Sequence, residues 1–194
     1  MKAPAIFLQF LSPALSLFLP VAALAELDLS PRAESYELEG VAIPQLSFYT
    51  GTNKDATYQP PSNWSYSGGQ DHLDLQPDGI SQAKARISKW PAEPALAFDS
   101  EGVAQLRQRI LALSPQDSVD VEVRSEEMNP LQIDGKQTYL VELSYTCYGE
   151  RYASYCLILD RKPKPICFRL DCRESDYQAL RPAFHRSLFT WQNL

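Results

Sequence analysis

Histidine is scarce in this chain, with two among 194 residues, and methionine is equally rare. His72 and His185 stand far apart, which leaves no imidazole cluster for a metal centre and little chemistry that titrates near neutral pH. Only eight glycines occur, and no Gly-rich loop opens a helix, which excludes the nucleotide folds that cradle phosphate on backbone amides. A Gly-x-Ser-x-Gly elbow is missing too, so serine hydrolysis has no obvious nucleophile. Cations are the minority charge: 18 Lys and Arg against 24 Asp and Glu give a formal net charge of −6. That sign is wrong for neutralising phosphates, and no nucleic-acid partner is expected. After residue 25 no further long apolar run follows, so membrane insertion of the remaining chain is not expected.

What is present begins with a three-part N-terminus. Lys2 precedes an apolar run from Ile6 to Leu19, then Pro20 and Ala23-Leu24-Ala25. This is the pattern of a secretory signal peptide cut between Ala25 and Glu26, and the run is shorter than the roughly 20 residues that span a bilayer. The remaining chain is therefore expected in the periplasm or outside the cell. Four cysteines, Cys147, Cys156, Cys167 and Cys172, lie in the last third. An even number in an exported protein predicts disulfides, whereas the absence of a CxxC pair and of nearby histidine argues against zinc. If Cys156 and Cys167 sit on neighbouring strands they pair and leave Cys147 with Cys172. Pairing Cys147 with Cys156 and Cys167 with Cys172 is the alternative.

Residues 26–45 carry Pro31, Pro44 and several acids without sustained periodicity, and they read as an extended leader. The single domain is expected over residues 46–194. Strands are predicted at Leu46 to Thr50, Trp64 to Tyr66, His72 to Leu75 and Ile80 to Trp90. Asp99 or Ser100 caps a helix with Val103, Leu106, Ile110 and Leu113 on one face. Val119, Val121 and Val123 alternate with charges as a half-buried strand, and three further strands run from Gln137 to Asp171 with short turns, hence antiparallel. Ser175 and Gln178 form a capping box for a last helix, which Pro182 is expected to kink. This order predicts an α+β fold, a central antiparallel sheet of about six to seven strands with helices packed on it as an αβα sandwich.

Leu46-Ser-Phe-Tyr leading into Pro61-Ser-Asn-Trp64, Gly135-Lys-Gln-Thr-Tyr139, and Ser175-Asp-Tyr177 through Leu180-Arg-Pro-Ala-Phe184 to Phe189-Thr-Trp191 resemble the PsbP/DcrB fold group. That group includes thylakoid PsbP, exported bacterial DcrB-like proteins and a Ran-binding nuclear protein. The resemblance covers residues 46–194 and implies an αβα arrangement and action by binding other proteins. The four cysteines depart from the pattern, as does the lack of a lipoprotein cysteine.

No catalytic residue is assigned, and neither a cofactor nor a metal is expected. His72 and Asp74 could share a sheet face, which is half of a metal site without a second half. The most distinctive stretch runs from Tyr145 to Cys156, where Tyr148, Arg151 and Tyr152 are candidate binding residues at a hairpin tip, because Tyr and Arg give broad contact at small entropic cost. The expected function is an exported, noncatalytic protein-binding or assembly module whose partner is another envelope or secreted protein. The alternatives are a hydrolase with a cleft around His72 and nearby carboxylates, and a small-molecule or lipid carrier.

Overall fold

The computed structural model describes residues 26–91 and 97–194, so the expected signal peptide lies outside the described residues. The elements are β1 (Leu27–Leu38), β2 (Val41–Thr50), β3 (Asn53–Tyr58), β4 (Trp64–Gly69), β5 (His72–Pro77), β6 (Lys84–Lys89), α1 (Ser100–Leu111), β7 (Val119–Met128), β8 (Thr138–Cys147), β9 (Glu150–Leu159), β10 (Ile166–Arg173), α2 (Glu174–Leu188) and β11 (Gln192–Asn193). Seven strands form an antiparallel sheet in the order β4-β5-β6-β10-β9-β8-β7. Four others form a second sheet, β1-β2-β3-β11.

Near-continuous apolar runs in β8, β9 and β10 reflect a sheet covered on both faces. Alternate residues of these strands feed two cores. Leu157, Leu159, Phe168 and Leu170 meet α2 through Tyr177, Leu180, Phe184 and Leu188, and meet the small sheet through Leu29, Leu46, Phe48 and Trp191. On the opposite face, Tyr139, Val141, Leu143, Cys156, Ile158 and Cys167 meet Leu106 and Ile110 of α1. The expectation of one sheet with helices on it is met only in part, because α2 shares its face with a second sheet.

That second sheet corrects the leader. Residues 26–45 form β1 and the first half of β2, with Leu27 and Leu29 buried. Pro31 sits where the β1–β2 register slips, between Asp28 and Arg32, and an irregularity of that kind tolerates a residue without an N–H. Glu34 ties three strands of this sheet together: it accepts from Ser47 Oγ and Tyr49 Oη, each at 2.8 Å, and pairs with Lys54. Lys54 first, then the two hydroxyls, hold its carboxyl down to about 2.

Helix α1 begins as expected, with Asp99 accepting from the Gly102 amide at 2.9 Å. The capping box on α2 is not formed. Strand β10 runs straight into the helix at Glu174, so Ser175 lies inside the first turn and the N-cap is Arg173, without a side-chain cap. Glu174 and Asp176 supply negative charge at the N-terminal end instead, and the helix continues through Pro182 to Leu188. Strand β7 is more exposed than its valine alternation predicts: Val119 is 58% exposed, and two register shifts bend this sheet edge.

Candidate functional site

Strand β6 pairs with β5 on one side and β10 on the other, which sets their side chains in rows. One row is His72, Ser88 and Cys167; the next is Asp74, Arg86 and Arg169. Helix α1 covers this face over β8, β9 and the start of β10, and leaves a cleft beside it. The cleft has a volume of about 740 Å³. Its floor is His72, Arg86, Ser88, Cys167 and Arg169; Asp71, Lys89, Trp90 and Pro91 form one rim, and Arg109, Ala112 and Leu113 the other.

Charge in the cleft is uneven. Arg86, Lys89, Arg109 and Arg169 line it against one carboxylate, Asp71. Lys89, only 9% exposed, holds Asp71 at 2.6 Å and keeps that carboxyl below its usual range. Arg86 grips Asp74 with Nε at 2.6 Å and a terminal nitrogen at 3.0 Å. Arg169 donates to Asp171 at 2.6 Å and to the Leu113 carbonyl at 2.8 Å. Burial raises the Asp74 carboxyl, but Arg86 and Lys84 outweigh it and leave the group lowered.

His72 Nε2 lies 3.6 Å from Asp74, whose oxygens already serve Arg86 and Lys84. A hydrolytic site of the expected kind needs His72 with two or more carboxylates facing the cleft, and Asp71 is the one in its lining. Among the described residues no group of three or more His, Cys, Asp or Glu is placed to hold a metal.

The hairpin-tip residues do not share a surface. Tyr148 and Gly149 form the β8–β9 turn with φ of 50° and 78°, and Tyr148 is 85% exposed, its hydroxyl donating to Asp117 at 2.8 Å. Arg151 leans toward α2, between Glu122 at 3.6 Å and Glu174 at 3.5 Å. Tyr152 takes the opposite face and stacks on Tyr145 at 5.6 Å. Neighbouring residues of a strand point to opposite sides, which separates Arg151 from Tyr152. Tyr145 and Tyr155 are core residues.

A surface missing from the sequence reading lies on β1 and β2. Beyond Glu34 and Gln45 the two strands leave the body as an arm closed by Glu39 and Gly40, with φ of 51° and 81°. Tyr36 pairs with Ile43, and Leu38 with Val41, so all four share one face. Leu38 is 55% exposed and Val41 62%. A groove of about 520 Å³ runs from Tyr36 past Gln45, Thr57 and Gln59 to Phe189 and Leu194.

No protein-family model and no curated protein matches the chain. Among solved structures, cyanobacterial PsbP (CyanoP) from Synechocystis aligns with a TM-score of 0.52 at 15% identity, covering 82% of this chain and 98% of that one. The fold is PsbP-like. The Ran-binding protein Mog1p of Saccharomyces cerevisiae also aligns, with a TM-score of 0.47 at 8% identity, covering 84% and 96%. The PA94 protein of unknown function from Pseudomonas aeruginosa gives 0.46 at 15%, covering 81% and 94%.

Within this PsbP-like fold the expected disulfides are not formed: Cys147, Cys156, Cys167 and Cys172 are all free and buried. Cys156 and Cys167 do lie on neighbouring strands, their Sγ atoms 3.6 Å apart, and the hydrogen bond between them, then burial, raises the Cys156 thiol. Cys172 belongs to the core under α2, whereas Cys147 shares the parity of Leu143 on the α1 face, so these two sit on opposite sides of the sheet. The same opposition separates Cys167 from Cys172. Cys147 and Cys156 share a face but stand six positions apart along β8, roughly 20 Å at strand spacing.

His185, on α2, is half-buried and bonded to the buried Tyr155 hydroxyl through Nδ1 at 2.8 Å. Burial first, then Arg181, lowers its ring below the usual value.

The exposed, left-handed Tyr148 yields a prediction. Two-residue turns of this shape favour Asn-Gly, so Tyr148→Asn is expected to stabilise the protein by about 0.5 kcal/mol. A rise in urea midpoint at unchanged slope confirms it; a fall shows that Tyr148 carries packing.

Proposed function

We propose that the chain is an exported, noncatalytic protein-binding module that engages an envelope or secreted partner through the β1–β2 arm. The observation that carries this reading is the apolar face of the arm. Tyr36, Leu38, Val41 and Ile43 lie together on a projection held clear of both cores, and a groove extends the surface toward Phe189 and Leu194. Grouped exposed apolar side chains cost solubility and are found chiefly where another protein covers them. Aromatic Tyr36 and Phe189 suit a contact centre, and Gln45, Thr57 and Gln59 supply polar groups around it.

The N-terminal pattern Lys2, Ile6 to Leu19 and Ala23-Leu24-Ala25 supports export. Among the described residues no helix is long and apolar enough to cross a membrane. An oxidising compartment is also where Cys156 and Cys167, already in contact, could close a bond.

The test is capture of the partner by the tagged protein cross-linked in its native envelope, followed by affinity measurement with the identified partner. Leu38→Ser with Val41→Ser is expected to weaken binding at least tenfold, about 1.4 kcal/mol, with an unchanged melting temperature. Equal binding by this variant rejects the arm, and loss on replacing Tyr148 and Arg151 instead moves the contact to the β8–β9 tip.

A further inference from the structure

The cleft beside α1 has no role in the protein-binding reading, and its construction points to a ligand of another kind. Arg86 and Arg169 stand directly opposite each other across the β6–β10 register. Like charges in that position destabilise a sheet. Each has its own carboxylate, Asp74 or Asp171, but neither of those acids belongs to the cleft lining, which presents the cations. Lys89 and Arg109 add positive charge on the two rims. A chain of net charge −6 has thus gathered four cations around one concave site.

The remaining wall is apolar. Trp90 and Pro91 face the site from the β6 side, and Ala112 and Leu113 from the end of α1. Cations on the floor and rims and an aromatic wall together select for a negatively charged group joined to an apolar body. Both forks are already engaged, Arg86 with Asp74 and Arg169 with Asp171 and the Leu113 carbonyl, so it is the excess of positive charge lining the cleft that favours a carboxylate head over a neutral amide.

We infer that the cleft formed by His72, Arg86, Trp90, Leu113 and Arg169 binds an amphiphilic organic anion, its acid head among the arginines and its apolar body against Trp90 and Leu113.

The probe for this assignment is 1-naphthaleneacetate, titrated calorimetrically into the purified protein, with the neutral 1-naphthaleneacetamide and inorganic phosphate as comparisons. The carboxylate is expected to bind at least tenfold more tightly than the amide and than phosphate, and to weaken as salt is raised. Leu113→Glu, an exposed replacement on the rim, is expected to lower carboxylate affinity tenfold or more; Ala112→Glu repeats the test should the first variant unfold. The Leu38→Ser, Val41→Ser variant is expected to bind the carboxylate as the parent does, which keeps this outcome separate from the fate of the arm. No binding, equal binding of the amide, equal binding of phosphate, or indifference to both acidic replacements overturns the assignment.

Discussion

Trp191→Ala is expected to lower the unfolding free energy by about 3–5 kcal/mol, the range for removing a large, fully packed aromatic. Trp191 sits where the two sheets meet. Its ring stacks on Phe48 of β2 at 5.4 Å, meets Phe168 of β10 edge-on at 5.2 Å, and lies 6.3 Å from Tyr58 of β3. It is 2% exposed, and it lies just beyond the α2 C-cap Phe189 with its amide bonded to the Leu188 carbonyl, so the segment after α2 pins the small sheet onto the large one. Truncation leaves a cavity bordered by residues of three strands, which rigid sheets cannot close by collapse. Urea unfolding followed by circular dichroism reads the loss as a lower midpoint. Phe189→Ala, two residues away and 59% exposed, is expected to stay within about 0.5 kcal/mol. A small effect at Trp191 would mean that the two sheets do not share one core.

The elements that the sequence displays clearly are those with a strong local signal. Val141, Leu143, Ile158 and Phe168 stand in runs too apolar for a surface strand, and Asp99 with Leu106 and Ile110 marks the start and the buried stripe of α1. The arm carried a quieter signal. Tyr36 and Leu38 alternate before Glu39-Gly40, and Val41 and Ile43 alternate after it, which is a two-residue hairpin pattern hidden between acids and two prolines. Pro31 and Pro44 read as breakers because a proline cannot serve a central ladder; Pro31 falls at a register slip, where that restriction lapses. The placement of the four cysteines on the two sheet faces and the separation of Arg151 from Tyr152 both follow from strand parity, which becomes decisive once exact strand boundaries are known. The cleft had no local signal at all. Its residues come from β5, β6, α1 and β10, and the opposition of Arg86 to Arg169 exists only in the assembled sheet.

Leu29→Asp separates a structural β1 from a detachable leader with the largest contrast available. Leu29 is fully buried, its amide donates to the Gln70 carbonyl at 3.0 Å, and its side chain belongs to the same core as Leu73, Phe168 and Trp191. Replacing it removes a packed side chain and places a carboxyl where water cannot follow, a combined cost on the order of 5 kcal/mol. Leu38→Asp, in the same strand but at the exposed end of the arm, is expected to cost less than about 0.5 kcal/mol. The pH dependence adds a second criterion. Burial raises the folded-state pKa of the new carboxyl above its unfolded value, so its penalty applies when the group must ionise and shrinks as pH falls through the raised value. The gap between parent and Leu29→Asp should therefore narrow on mild acidification, whereas Leu38→Asp should track the parent throughout. If Leu29→Asp unfolds at the parent's urea midpoint, β1 contributes nothing to the core, and both the four-stranded sheet and the arm that springs from it lose their foundation.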